Sequence, residues 1–127
     1  MDFVSFELAK KLKEKGFNAE CHAYYEPLKH CLNLGRVFKT NSLAENYNCI
    51  TAPTISQVLK WLREEKGYHI EFIGNACGYL FVISDIPSKG GTDRYCSDYN
   101  GPNDGGTWDS YEQAALAGIE YVLDNLI

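Results

Sequence analysis

The sequence predicts an α+β fold in which three helices pack on a small, three- to four-stranded, mainly antiparallel sheet. Three observations lead there. Three segments carry helical apolar spacing together with capping residues, and several short runs alternate apolar and polar side chains between tight turns. Their order is helix, two strands, helix, hairpin, short edge strand, helix, which suits antiparallel strands with helices on one face.

The first helix is expected over 5–15. Ser5 is an N-cap candidate, Glu7 lies in the first turn, and Val4 and Ala9 are spaced as a hydrophobic staple. Leu8, Ala9 and Leu12 make a narrow apolar stripe, Lys10, Lys11, Lys13 and Lys15 suit the negative end of the helix dipole, and Gly16 stands where the chain must turn out. Residues 19–25 and His30 to Phe38 read as strands that pair across a turn at Pro27, and the Asn-rich stretch 39–50 reads as a loop. Thr54 and Gln57 form a capping box for a second helix, with Ile55, Val58, Leu59 and Leu62 buried and Gly67 ending it. Tyr68 to Ile73 and Tyr79 to Ser84 form a hairpin around the 74–78 turn, its second strand apolar on both faces and hence central. From Asp85 to Trp108 Gly, Asp, Asn, Ser and Pro predominate, with one short strand at Arg94-Tyr95-Cys96; unstructured stretches of this length are often functional. The last helix begins near Ser110, with Asp109 as its cap and Glu112 at N3, and its small residues Ala114, Ala117 and Gly118 allow close approach to a neighbour.

A length of 127 residues fits a single domain, 1–127, able to bury a core without metal or disulfide support. The net charge of −5 is uneven: 1–16 carries +1, 17–83 is neutral, and 84–127 carries −6. A duplex binder needs a basic surplus to neutralise phosphates, and none exists beyond the first helix, so nucleic acid is disfavoured as a partner. The start Met1-Asp2-Phe3-Val4-Ser5-Phe6 lacks the basic and apolar regions of a secretory signal, and no apolar run is long enough to cross a bilayer. The five cysteines are odd in number and widely spaced, as expected of reduced thiols in the cytoplasm.

Familiar chemistries fail on spacing. Cys21-His22 and His30-Cys31 supply zinc-type side chains, but adjacent strand residues point to opposite faces and cannot share one metal. Cys77, in the hairpin turn, and His69, on the paired strand, have the residue types of a thiol enzyme without a local signature. The run from Asp98 to Gly106 is rich in oxygen ligands, yet an EF-hand register would put Pro102 at a ligand position and Asn103 where Gly is required. Gly90-Gly91-Thr92 and Gly105-Gly106-Thr107 lack the Lys-Ser/Thr end of a phosphate loop. No cofactor and no metal is therefore expected.

Four stretches, Val4–Phe17 (VSFELAKKLKEKGF), Cys21–Tyr25 (CHAYY), Ala52–Glu64 (APTISQVLKWLRE) and Ser110–Ile127 (SYEQAALAGIEYVLDNLI), together resemble a family of small uncharacterised proteins of gut Bacteroides and relatives, often among phage-like or mobile genes. The resemblance implies a bacterial cytoplasmic setting and a mobile-element origin; it carries no residue roles. The leading expectation is a non-enzymatic accessory module that binds another protein. Its nine Tyr residues and the region ending in Trp108 place a candidate interaction surface at Arg94, Tyr95, Tyr99 and Trp108. The alternatives are a small nucleic-acid binder, using the Lys10–Lys15 face beside sheet tyrosines, and a thiol- or metal-dependent enzyme. Oligomeric state is open at this level.

Overall fold

The computed structural model describes residues 2–26, 32–44, 48–97, 101–103 and 106–127. They form an α+β fold whose strands divide between two three-stranded antiparallel sheets. The chain packs as two compact units, Met1–Gln57 and Val58–Ile127.

In the first unit, α1 (Phe6–Glu14) starts at Ser5, whose hydroxyl accepts from the Leu8 N–H at 3.3 Å. Leu8, Ala9 and Leu12 are buried, as their spacing requires, and Gly16 leaves the helix at φ +90°. β1 (Cys21–Tyr25) lies between β2 (Leu32–Lys39) and β3 (Ile50–Ala52). β1 alternates as a half-buried strand should, with Cys21, Ala23 and Tyr25 inside and His22 exposed. The expected β1–β2 pairing is present, while the turn at Pro27, with His30 and Cys31, lies outside the described residues.

The stretch 39–50, read as a loop from its polar composition, holds regular structure among its described residues. A short helix, α2 (Asn41–Ala44), is followed by β3, and Asn41 explains both. Its buried amide donates to the Phe17 carbonyl at 2.6 Å and its Oδ1 accepts from the Thr51 N–H at 3.0 Å. One side chain thus satisfies two interior backbone groups from distant parts of the chain, a tertiary role that local pattern does not reveal. The capping box ahead of α3 (Ile55–Trp61) is complete: Gln57 N–H donates to Thr54 Oγ1 at 3.2 Å, and Thr54 N–H to Gln57 Oε1 at 3.0 Å.

In the second unit the helix closes in a π-helical turn over Leu62–Lys66, ended by Gly67 at φ +76°. β4 (Tyr68–Asn75) and β5 (Gly78–Asp85) pair without interruption, and β6 (Asp93–Cys96) completes the order β4-β5-β6, with β5 central as expected. α4 (Tyr111–Asn125) packs on one face of this sheet. A Cβ on Gly118 would stand 3.3 Å from both Ile70 and Phe81, so the small residue sets the helix–sheet spacing. The helix caps on Ser110, whose hydroxyl accepts from Gln113 N–H at 3.1 Å, one residue later than the expected Asp109. Asp109 is engaged elsewhere: its carboxylate accepts from Asn103 Nδ2 at 2.6 Å.

Candidate interaction surface on the second sheet

The best-organised surface lies along the β6 side of β5. Gly78 begins β5 with φ +140°, and a Cβ there would sit 2.2 Å from the Trp108 carbonyl oxygen. Only glycine allows the returning chain so close. Tyr79 N–H donates to Trp108 O at 2.8 Å, and Trp108 N–H returns a bond to Tyr79 O at 3.0 Å. Two residues along β5, Phe81 N–H donates to Ser97 Oγ at 2.9 Å and Phe81 O accepts from Ser97 N–H at 3.0 Å. The chain on both flanks of the 98–105 stretch is therefore held to β5 by sheet-like bonds. Thr107 Oγ1 and Asn103 Nδ2 donate to the Cys77 carbonyl at 2.8 and 3.1 Å, fastening the same region to the hairpin turn.

This framework brings two of the expected residues together. Trp108 packs on Phe81 at 5.4 Å between ring centroids, and Tyr95 approaches the same ring at 6.0 Å. Tyr95 is stacked face to face on Tyr121 of α4, with centroids 3.7 Å apart and planes 13° from parallel. Burial raises the Tyr95 phenol above its ordinary pKa, with smaller contributions from Tyr121 and Cys96. Tyr95 and Trp108 are both half-buried.

Arg94 occupies a β-bulge: Ile83 pairs with Tyr95 and Ser84 with Asp93, leaving Arg94 as the extra residue. The bulge re-aims its guanidinium onto Asp85, where Nε and Nη2 donate to the two carboxylate oxygens at 3.0 and 2.8 Å. The hydrogen bonds and charge of Asp85 raise the arginine pKa further, and the side chain stays 51% exposed. A carboxylate thus fixes a planar donor group on the residue before Tyr95. Tyr99 lies outside the described residues. Phe81, Tyr121, Asp85 and Ser97 complete the arrangement without any signal in the sequence; strand pairing and the packing of α4 make them neighbours.

The catalytic and metal candidates are not assembled in the same way. Cys21 is buried and His22 exposed on opposite sides of β1, and burial pushes the Cys21 thiol from 9.0 up to about 11, which opposes thiolate formation. Cys77 is exposed in the turn, whereas His69 pairs with Ser84, six residues back along β4, roughly 20 Å away at strand spacing. Among the described residues, no group of three or more His, Cys, Asp or Glu side chains is placed to hold a metal ion. The oxygen-rich stretch read for calcium falls largely outside them. Of the sheet tyrosines considered for base stacking, Tyr25 is buried, with its hydroxyl donating to Val4 O at 2.7 Å. No described helix is long and apolar enough to cross a membrane.

The described residues define an α+β protein with two three-stranded antiparallel sheets. Comparison with protein-family models, curated proteins and solved structures finds no match for this chain.

Proposed function

We propose that this chain is a non-catalytic module that binds another protein through the surface formed by Tyr95, Trp108 and Arg94. The observation that carries the reading is the convergence of Tyr95 and Trp108 on Phe81, with Arg94, the residue before Tyr95 on β6, held by Asp85. Tyr, Trp and Arg are the side chains that dominate binding energy at protein interfaces. Anchors already held by stacking and by an ion pair lose little conformational entropy on binding. The resemblance to proteins of mobile elements sets the proposed context, an accessory role in the bacterial cytoplasm.

Site-specific photo-cross-linking tests the proposal. A p-benzoylphenylalanine replacing Asp93, which is exposed on β6, is expected to trap a discrete protein adduct in cells. The same group replacing Lys60, exposed on α3, is expected to trap none. Equal yields at the two positions, or adducts that persist in Trp108→Ala, would overturn it.

A further inference from the structure

β4 presents a second surface, of a different kind. The two-residue turn Ala76-Cys77 makes Asn75 and Gly78 a mutually hydrogen-bonded pair, which fixes the phase of the hairpin. Along β4, the N–H and C=O groups of Ile70, Phe72 and Gly74 then point away from β5. The same phase is visible on β5, where Tyr79 and Phe81 turn outward to meet Trp108 and Ser97. On β4 the outward groups of Phe72 and Gly74 meet no backbone or side-chain partner among the described residues.

Open edges are usually protected by shortness, charge, bulges or proline. β6 shows three of these devices, with four residues, the charges of Asp93 and Arg94, and the bulge. β4 shows one, Glu71, over eight regular residues. Glu71, Ile73, Gly74 and Asn75 are exposed, and Ile73 has 47% of its surface in solvent.

We propose that β4 pairs antiparallel with β4 of a second copy of this chain, about a two-fold axis at Ile73. In that register Phe72 of each copy faces Gly74 of the other, and their outward backbone groups form four hydrogen bonds. Ile73 meets Ile73 of the second copy in the close, non-hydrogen-bonded position, with Cα atoms about 4.5 Å apart. Leu80, the cross-strand neighbour of Ile73 on β5, extends the apolar contact on each side. Glu71 falls opposite Asn75 of the second copy, which can donate to it. Moving the axis to residue 71 would set two Glu71 carboxylates directly against each other, and like charges so placed are repulsive. The self-complementary register is what selects a second copy as the occupant.

Disulfide trapping reads the register directly. In a Cys77→Ser/Cys96→Ser background, Ile73→Cys places two thiols within disulfide reach across the axis. Glu71→Cys places its pair roughly 13 Å apart, four residues out of register. Under oxidised glutathione, Ile73→Cys is expected to form covalent dimer at least about tenfold faster than Glu71→Cys, since only one pair meets the geometry of a disulfide. Sedimentation of the unaltered chain should show dimer appearing between about 10 μM and 1 mM, as suits a small interface, and Ile73→Lys should abolish it. Comparable trapping at the two positions, or a purely monomeric unaltered chain throughout that range, would overturn the proposal.

Discussion

Replacing Gly78 with Ala isolates the attachment on which the candidate surface depends. The added Cβ would sit 2.2 Å from Trp108 O and 3.0 Å from Thr107 Oγ1, so the returning chain must move away. That displacement breaks the paired Tyr79–Trp108 bonds, about 0.5–1.5 kcal/mol each. Holding a residue with a side chain at φ +140° adds about 1–3 kcal/mol of backbone strain. The expected loss is about 2–6 kcal/mol by these two terms, partly relieved if the 101–109 region detaches while the hairpin persists. Gly74→Ala is the matched control: its Cβ would meet only the Tyr79 ring, at 3.3 Å, which can give way, so the cost should stay below about 1 kcal/mol. Urea denaturation monitored by Trp108 fluorescence, in a Trp61→Phe background, measures both effects. Hydrogen exchange at the Tyr79 amide reports the local opening. A Gly78→Ala protein with unchanged stability and a protected Tyr79 amide would refute the close approach of Trp108 as a structural requirement.

Three further outcomes are expected. Asn41→Ala should destabilise the fold by about 2–4 kcal/mol, because the Phe17 carbonyl and the Thr51 amide lose their partner together; Asn41→Asp, which sets a buried carboxylate oxygen against the Phe17 carbonyl, should cost at least as much, as denaturant midpoints would show. Stability should decline as pH rises from about 9 to about 11: the Cys21 thiol ionises near 9.0 when unfolded and near 11 when folded, so alkali favours the unfolded chain, and Cys21→Ala should flatten that part of the profile. The raised phenols of Tyr25 and Tyr95 act in the same direction. Cys77 should react with a maleimide at pH 7.5 far faster than Cys21, by mass-resolved labelling; similar rates would contradict the burial of Cys21.

The elements most legible in the sequence are those whose signals are local. Ser5, the Thr54–Gln57 pair, Gly16 and Gly67 act on groups within a few residues, and the structure uses each as its position suggests. The small face of α4 was equally legible, since Gly118 can serve only close packing there. What escaped depends on distant partners. β3 and α2 exist because one buried Asn joins residues 17 and 51, and Asp109 yields the cap to Ser110 because Asn103 claims its carboxylate. Alternation identifies strands without saying which share a sheet, so the division into two sheets could not be read in advance. The site follows the same rule. Tyr95 and Trp108 stood out as aromatics in a Gly- and Asn-rich stretch, but their meeting on Phe81 needs the β5 register, and the direction of Arg94 needs the bulge.

The central claim is that Tyr95 and Trp108 are the anchors of a protein-binding surface. Its most direct test is the affinity, by isothermal titration, of the partner trapped from position 93 for the unaltered chain and for Tyr95→Ala and Trp108→Ala. Each substitution is expected to weaken binding at least about tenfold, as loss of a buried aromatic anchor does, with the Gly74→Ala control unaffected. Affinities within twofold of the unaltered chain in both variants would contradict the account.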